Sequence, residues 1–389
     1  MFNYRKIKKK ISRVKSKFDK DQRNLHQIEI SKEFLEKNFI FNKIKRRISD
    51  KGVERIFKFA RHLKNNSFHG KKKDMWNLIV NSSVHLELFE SCLKSDKKLF
   101  LELINNAGKT NLVYGYLNRF SYKDLKLNNS FRFKESMHVI DNAISLSEFR
   151  KSIKVYCPEQ GGWVVENVDY KNLIKKNFLF KGKKIKPFLS PNFAYGIKIK
   201  NNFYGVKDLN GIYSAIKVYN IIKNYKIKTV NEIGAGLGSV AYYTSKLNKI
   251  QYNIYDLPVI NLLQAYYLML SIGENNVSLL GEKNKRKNCV KIMPYWEIFK
   301  LKRKNKALWF NQDSLPEIDK SLSEKYIKTI MSNKKNIFFS INQESRNHNS
   351  VGAYQHTVSD IIKNKKYKIV NRSRDFLRQG YVEELFVFD

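Results

Sequence analysis

The 389-residue chain is predicted to be an α/β protein whose C-terminal half forms a mostly parallel β-sheet. Three observations support this prediction. From residue 203 onward, short β-rich runs alternate with helical segments, and the first of these runs ends in glycines. Such alternation is typical of parallel strands joined by crossover helices. The last two runs have only a loop between them, which predicts an antiparallel hairpin at one edge of the sheet.

The elements of the C-terminal half follow one another in a regular order. Apolar residues at helical spacing predict a helix over residues 207–224, and a further helix is predicted over 239–247, directly after the glycines. Short apolar runs predict buried parallel strands at 227–233, 250–255, 289–293, 307–310 and 336–341. The two hairpin strands are predicted at 367–371 and 384–388.

The first 202 residues show a weaker pattern. Residues 1–130 are predicted to be a mainly helical region, with helices at 75–92 and 99–104, and His85 lies within the apolar helical pattern as a structural residue. Residues 131–202 contain Gly161-Gly162, two prolines and a hairpin signal near Asn201, which predict a mixed connecting and substrate-side region. Residues 203–389 form the third predicted unit.

The composition indicates a globular and strongly basic protein. Lys and Arg number 75 against 35 Asp and Glu, a formal net charge of +40, while 42% of the residues are hydrophobic. The apolar content excludes a basic disordered tail. The charge alone is compatible with nucleic-acid binding. AT-rich codon usage would also produce such a charge. The abundance of Lys, Asn and Ile and the spread of charge over both halves favour codon usage as the explanation.

The N-terminus and the cysteines bear on location. Residues 6–20 form a basic, partly amphipathic stretch that suits an anionic membrane surface or polyanion, with a solvated helix face as the alternative. Cys92, Cys157 and Cys289 are isolated, so neither a disulfide framework nor a zinc site is predicted. No signal peptide or transmembrane segment is recognisable. We therefore expect a cytoplasmic location with peripheral contact at the inner membrane surface.

The clearest chemical motif is the glycine-rich turn after the first strand of the sheet. It has the form E-x-G-x-G-x-G, comprising Glu232, Gly234, Ala235, Gly236 and Gly238. A dinucleotide fingerprint would place its third glycine where this chain has a serine, so the turn suits a ligand without pyrophosphate. In S-adenosylmethionine, the methionine part would pack on the glycine backbone while the acid orients the ammonium group. Tight strand-to-helix packing is the alternative explanation.

A carboxylate follows the second strand of the sheet, 22 residues after Gly234. Asp256 stands there with Leu257 and Pro258, and proline is favoured at the first position of a helix. An acid at this place in a Rossmann-like sheet accepts hydrogen bonds from ribose hydroxyls. Taken alone, Asp256 could equally cap the following helix. Together with the glycine turn, it predicts a nucleoside site.

Residues 203–389 resemble class I S-adenosylmethionine-dependent methyltransferases, including the hairpin of their sixth and seventh strands. More narrowly, the motifs at 232–238, 255–258, 311–317 and 340–344 resemble the bacterial sugar O-methyltransferase family encoded among capsule and lipopolysaccharide genes. The resemblance implies a Rossmann-like seven-stranded methyltransferase sheet after a mainly helical N-terminal region. It also implies S-adenosyl-L-methionine as cofactor and methylation of a sugar hydroxyl in surface-polysaccharide biosynthesis. The acceptor would be nucleotide-linked, lipid-linked or polymeric.

On this model, further residues fall on the adenine and acceptor sides of the cofactor. Pro294 and Tyr295 follow the third strand, where class I enzymes surround the adenine ring, although Tyr295 and Trp296 could also be core aromatics. Asn311 lies at the end of the fourth strand, facing the sulfonium methyl group. These residues complete the predicted cofactor site.

Three residues are candidates for the chemistry on the acceptor hydroxyl. Asp313 is one candidate general base, with helix capping as its alternative role, and Glu317 could orient it or bind a sugar hydroxyl. His348, in the loop after the fifth strand, is the other candidate base, with a solvated loop position as the alternative. We predict no metal site, because no carboxylate pair has convincing spacing for a divalent ion.

Two other functions remain open at this stage. An RNA methyltransferase would use the same cofactor site and would account for the charge. We do not expect a nucleic-acid partner, because no RNA-binding module is recognisable and the motif after the fourth strand differs from that of base-amine methyltransferases. A non-catalytic protein associated with a membrane or a polyanion is the second alternative, although such a protein has no reason to keep both the glycine turn and Asp256.

Overall fold

The computed structural model describes most of the chain, and the following account is limited to that part. The described residues are 25–28, 30–64, 76, 80–113, 115–118, 120–155, 164–165, 168–283, 288–301, 306–344, 355–362 and 367–388. The basic stretch at 6–20, Cys157, the glycine pair at 161–162 and His348 lie outside these residues.

The N-terminal region is mainly helical. Its elements are β1 (Gln27–Ile28), α1 (Lys32–Asn38), β2 (Phe39–Phe41), α2 (Asp50–Leu63), α3 (Ser83–Leu93), α4 (Lys97–Asn105), α5 (Tyr122–Leu127), α6 (Asn129–Phe149), β3 (Val164–Val165) and α7 (Tyr170–Asn177). Two small hairpins follow, formed by β4 (Leu179–Phe180) with β5 (Lys183–Lys184) and by β6 (Tyr195–Ile199) with β7 (Asn202–Tyr204). The predicted boundary between residues 130 and 131 falls inside α6.

Helix starts in this region are set by short polar side chains. Ser31, Ser49, Asp96 and Asp169 each accept a hydrogen bond from a backbone N–H of the first helical turn. The helix predicted over 75–92 is interrupted before Ser82, which becomes the N-cap of α3. The predicted structural role of His85 is confirmed, because its ring is buried, and burial lowers its pKa to about 4.

The C-terminal half contains the main sheet. Its elements are α8 (Val206–Tyr225), β8 (Thr229–Ile233), α9 (Ser239–Leu247), β9 (Gln251–Asp256), α10 (Pro258–Ile272), β10 (Val277–Leu279), β11 (Val290–Pro294), β12 (Leu308–Gln312), α11 (Lys320–Met331), β13 (Ile337–Gln343), α12 (Val358–Ile362), β14 (Lys368–Arg374) and β15 (Tyr381–Val387). All seven predicted strands are present. Their predicted bounds differ from these by at most three residues.

The sheet has eight strands in the order β10-β11-β9-β8-β12-β13-β15-β14. The first six are parallel, and β15 runs antiparallel between β13 and β14. The α/β class and the hairpin are therefore confirmed, while the predicted number of seven strands is one too low. The extra strand β10 has three residues at the sheet edge, too few to give a periodic signal.

The chain order changes direction at the centre of the sheet. From β8 the chain proceeds to β9 on one side, and later to β12 on the other. In open α/β sheets, ligands bind outside the carboxyl ends of the strands at such a switch point. The loops that follow β8, β9 and β12 meet there.

The N-terminal region packs directly on the sheet layer. One continuous hydrophobic core contains residues from both halves, including Phe57 of α2 and Leu263 of α10. At its margin, the Arg55 guanidinium donates to Glu282 at 2.6 Å and to the carbonyl oxygen of Val277 at 2.7 Å. None of the helices in the described part of the chain has the length and apolar character needed to span a bilayer.

A buried ionic contact joins the segment before β1 to α6. The His26 ring lies 2.8 Å from a carboxylate oxygen of Asp141 and 3.1 Å from one of Glu148, and the backbone N–H of His26 also donates to Asp141. Burial alone would lower the pKa of His26. The hydrogen bonds to the two carboxylates outweigh this effect and raise the pKa to about 9. The imidazolium therefore holds this segment on α6.

This contact predicts a pH-dependent contribution to stability. The pKa of His26 is about 9 in the folded protein, against an ordinary value of 6.5. The contact therefore stabilises the fold fully below pH 6.5, and this stabilisation is lost as the pH rises through about 9. His26→Gln should lower the free energy of unfolding in urea by roughly 2 kcal/mol at pH 6. The deficit should be clearly smaller at pH 10. The exposed His62→Gln is the control, and an equal deficit for His26→Gln at both pH values would contradict the ionic contact.

Candidate functional site

The loop between β8 and α9 has a backbone that only glycine adopts readily. Gly234, Gly236 and Gly238 have φ angles of +68°, +58° and +86°. A Cβ atom at Gly234 would overlap the Ser314 side chain, and one at Gly236 would lie 2.6 Å from the Tyr116 ring. The three glycines therefore bring the loop backbone close to neighbouring segments where a side chain would not fit.

Asp256, at the end of β9, is bound to this loop. Its carboxylate accepts hydrogen bonds from the Ala235 amide at 2.9 Å, the Leu257 amide at 2.8 Å and the Gln264 side chain at 2.7 Å. The Gly236 amide also lies close enough to stabilise the charge, while burial raises the pKa of Asp256 to about 6. The carboxylate thus fixes the loop to the ends of β9 and α10.

Glu232 is the second acid of the motif. It lies on β8 with only 1% of its surface exposed, and the Tyr252 hydroxyl donates to its Oε2 at 2.8 Å. Burial, with a smaller effect from Asp256, raises the pKa of Glu232 to about 8. A cationic group bound beside Glu232 would favour its charged form.

A cavity of about 330 Å³, here called the glycine-loop cavity, lies at the carboxyl ends of β8, β9 and β12. Seven of the ten predicted cofactor residues line it. They are Glu232, Gly234, Ala235, Gly236, Asp256, Leu257 and Tyr295. Tyr295 opens a 3₁₀-helix directly after β11, at the predicted place for the adenine ring. Trp296 packs edge-on against Tyr295 and does not line the cavity.

The other three predicted cofactor residues do not line this cavity. Asn311 is fully buried. Its amide nitrogen donates to the Ile233 carbonyl at 2.8 Å, and its amide oxygen accepts from the Asn342 side chain at 2.9 Å. It braces neighbouring strands instead of facing a ligand. Gly238 caps α9 against Leu268, and Pro294 ends β11 in register with Asp256.

The N-terminal region supplies part of the cavity wall. Tyr116 lies against Gly236, and Trp76 stacks on Tyr116 with ring planes 21° apart. Burial, together with the charges of Asp256 and Glu317, raises the pKa of Tyr116 well above its usual range. No motif in the sequence indicates this contact, since it depends on how the first half of the chain packs on the second.

Asp313, after β12, is held by an arginine from the loop between β14 and β15. Arg378 donates from one nitrogen to both carboxylate oxygens of Asp313, at 2.7 and 2.9 Å. It also binds the buried Asp375 at 3.1 Å and stacks over the Tyr381 ring at 3.9 Å. Burial alone would lower the pKa of Arg378, but the two carboxylates outweigh this effect and raise it. Asp313 has φ +66° and does not cap a helix in the predicted way.

A second cavity of about 860 Å³ adjoins the first. Its wall combines the α6 residues Glu135 and His138 with parts of α8, the segment before α5 and the loop before β15. Four residues line both cavities, namely Gly115, Lys207, Asp313 and Tyr381. The two spaces therefore meet beside the end of β12.

The remaining predicted catalytic residues have different positions. Glu317 lies in a 3₁₀-helix after β12 and lines the glycine-loop cavity, near the cavity-lining Asp313. His348 is outside the described residues, so its role stays a prediction. Within the described ranges, no cluster of three or more His, Cys, Asp or Glu side chains is arranged to hold a metal ion.

The strand order and the glycine loop define a Rossmann-like α/β fold with an antiparallel hairpin at one edge. No protein-family model and no curated protein sequence matches the chain. Among solved structures, the chain is similar to the mitomycin 7-O-methyltransferase MmcR, with 11% identity and a TM-score of 0.35, over 47% of this chain and 56% of MmcR. The chain thus spans little more than half of MmcR.

Two further solved structures show comparable similarity. Magnesium protoporphyrin IX methyltransferase (ChlM) from Synechocystis PCC 6803, with bound SAM, aligns at 15% identity and a TM-score of 0.32, over 58% of this chain and 100% of ChlM. The glycopeptide N-methyltransferase MtfA, complexed with sinefungin, aligns at 11% identity and a TM-score of 0.33, over 46% of this chain and 87% of MtfA.

The Arg378 cluster predicts a large effect of one substitution. Arg378→Leu leaves Asp313 and the buried Asp375 without their shared cation, so the free energy of unfolding should fall by about 3 kcal/mol. Urea unfolding measures this change. Arg374→Leu, which alters an exposed residue of β14, should change stability by less than about 0.5 kcal/mol. Equal effects of the two substitutions would show that the cluster does not stabilise the site.

Proposed function

We propose that this protein is an S-adenosylmethionine-dependent methyltransferase that methylates a sugar hydroxyl during bacterial surface-polysaccharide biosynthesis. The observation that carries the proposal is the junction of the two cavities. The glycine-loop cavity has the groups needed for a nucleoside with a charged amino-acid part, and the second cavity is large enough for an acceptor. Lys207, Asp313 and Tyr381 line both cavities.

The residues of the glycine-loop cavity fit the cofactor. The backbone of Gly234 and Gly236 lines the cavity, so the methionine part would pack on it, and Glu232 is a buried acid suited to its ammonium group. Leu257 and Tyr295 offer apolar and aromatic surface for the adenine ring. When bound, S-adenosylmethionine supplies a methyl group on a sulfonium sulfur. Each of these roles belongs to a residue that lines the same cavity.

Asp256 has a double role in this proposal. Its three hydrogen bonds from Ala235, Leu257 and Gln264 already fix the loop. A carboxylate offers about four acceptor sites, so a ribose hydroxyl would use the last site or replace the Gln264 amide. Contact with both hydroxyls, as the sequence suggested, therefore requires Gln264 to move. The expected loss in an Asp256 variant combines loop stability with ligand binding.

The second cavity suits a polyhydroxylated acceptor. Its lining combines the aromatic rings of Tyr122, Phe193 and Tyr381 with polar groups such as Glu135 and Asn210. Rings provide flat apolar surface, and carboxylate and amide groups exchange hydrogen bonds with hydroxyls. Lys109 in the same wall adds positive charge. That charge favours a phosphate-linked or acidic acceptor.

Methyl transfer needs the acceptor oxygen, the methyl carbon and the sulfur in line, and much of the rate comes from this alignment. Asp313, fixed by two hydrogen bonds from Arg378, is placed to orient an acceptor hydroxyl between the two cavities. Because Arg378 already binds both oxygens of Asp313, orientation fits this residue better than the general-base role considered from the sequence.

Cofactor binding can be tested with two glycine substitutions of similar backbone geometry. Gly234 and Gly182 have φ +68° and +75°, but only a Cβ atom at Gly234 would meet other atoms, those of Ser314. Both alanine variants should lose about 1 kcal/mol of stability from the backbone alone. In isothermal calorimetry, Gly234→Ala should bind S-adenosylmethionine at least tenfold more weakly, and Gly182→Ala should bind it like the wild type. Unchanged affinity in Gly234→Ala would contradict the assigned cofactor site.

The acceptor can be tested in cells. Mass spectrometry of surface glycans from cells with and without the gene should show the loss of a methyl group when the gene is absent. The wild-type gene should restore the group, and Gly234→Ala should not, because it disrupts the cofactor cavity. Unchanged glycans together with missing methyl groups in RNA would favour the RNA methyltransferase instead. Unchanged methylation of both would overturn the proposed reaction.

A further inference from the structure

We propose that Lys207 is the general base that accepts the proton of the acceptor hydroxyl during methyl transfer. This inference rests on the proposed methyltransferase function and deepens it. Lys207 lies in the first turn of α8 and lines both the glycine-loop cavity and the second cavity. It is therefore at the place where a methyl donor and an acceptor would meet.

The start of α8 is rigid at this point. Asp208, the next residue, accepts hydrogen bonds from the Gly205 amide at 2.9 Å, the Tyr243 hydroxyl at 2.6 Å and the Phe188 amide at 3.1 Å. These bonds fix the first turn of the helix against α9 and against the segment before β6. Lys207 thus projects from an anchored backbone, although its own ammonium group has no hydrogen bond or ion pair within the described residues.

The charged groups around Lys207 come from four separate elements. Glu135 belongs to α6, Asp313 follows β12, Glu317 lies in the 3₁₀-helix after it, and Arg378 comes from the loop before β15. Burial lowers the pKa of Lys207, and Arg378 lowers it further, while the three carboxylates oppose this shift. A lysine in such surroundings supplies more neutral amine near neutral pH than an exposed one.

The other residues shared by the two cavities are less suited to take the proton of an acceptor. Gly115 has no side chain, and Asp313 is ion-paired with Arg378 through both oxygens. The charge of Asp313 and, to a smaller extent, burial raise the pKa of Tyr381, so this phenol stays protonated. His138 lines the second cavity but not the glycine-loop cavity. Lys207 is thus the shared residue whose neutral form has a free electron pair at the junction.

The proposed step is balanced. A lone pair of the acceptor hydroxyl oxygen forms the bond to the methyl carbon, and the bond between that carbon and the sulfonium sulfur breaks, with its electron pair remaining on sulfur. The hydroxyl proton passes to the neutral Nζ of Lys207, which becomes an ammonium group. Proton transfer to a positioned base typically contributes 10²- to 10⁴-fold to the rate. The ammonium group then loses its proton to solvent before the next turnover.

Binding measurements test the position of Lys207 without an acceptor. S-Adenosylmethionine carries a positive sulfonium, whereas S-adenosylhomocysteine has a neutral sulfur at the same place. Protonated Lys207 beside the sulfur repels only the first, so the affinity ratio of the two ligands should shift toward S-adenosylmethionine by about tenfold as Lys207 loses its proton with rising pH. Calorimetry from pH 6 to pH 10 measures this ratio. Lys207→Met should make it independent of pH, and Lys223→Met, an exposed position of the same helix, should not.

The cell experiment tests proton acceptance itself. Lys207→Arg keeps the positive charge but cannot act as a base at physiological pH, since arginine stays protonated. Cells complemented with Lys207→Arg should lack the methyl group on their glycan, although the purified variant still binds S-adenosylmethionine, while Lys223→Arg should restore methylation. Restored methylation by Lys207→Arg would show that only the charge matters and would overturn the proposal.

The two proposals fail in different ways. A pH-independent ratio in the wild type, with both ligands bound, overturns the role of Lys207 and leaves the cofactor site intact. If the wild type binds neither ligand, the proposed function itself fails, and the role of Lys207 fails with it. Thermal melting of each variant shows whether it is folded. Lys207→Met and Lys207→Arg test the role of Lys207 by two different substitutions.

Discussion

The hydrogen bonds accepted by Asp256 are the contact on which the candidate site depends. They join the end of β9, the start of α10 and the loop after β8, three segments that the parallel sheet brings to one edge. The three glycines of this loop contribute no side chains to its packing, although Leu237 between them is buried in the core. Burial of the carboxylate is compensated by donors on several sides. The carboxylate proposed to bind a nucleoside therefore also holds the shape of the glycine-loop cavity.

A second buried charge system shapes the opposite side of the site. Arg378 joins Asp313, after β12, to Asp375 in the hairpin loop, and so ties the antiparallel edge of the sheet to its centre. Breaking a buried ion pair leaves an uncompensated charge, which is costly. The neighbouring Lys207 has no such partner within the described residues. Arg378 therefore acts as a structural cation, while Lys207 is the residue proposed for proton transfer.

The N-terminal region completes the site instead of forming a separate unit. Tyr116 presses on the glycine loop, and α6 contributes one wall of the second cavity. Because the two halves share one hydrophobic core and both line the second cavity, this cavity forms only when both are folded together. The position of that cavity explains why the first 200 residues, which carry no recognisable motif, matter for the proposed specificity.

The sequence by itself determined seven of the eight strands of the main sheet, the hairpin, the glycine turn and the acid at the end of β9, because each depends on a local pattern of apolar, glycine or acidic residues. It could not show that Asn311 faces inward, that Asp313 pairs with Arg378, or that Lys207 and Tyr116 reach the site. Those residues lie far apart in the chain. Only the packing of α6, α8 and the hairpin loop around the sheet edge brings them together, since tertiary contacts depend on how whole elements fit and not on sequence spacing.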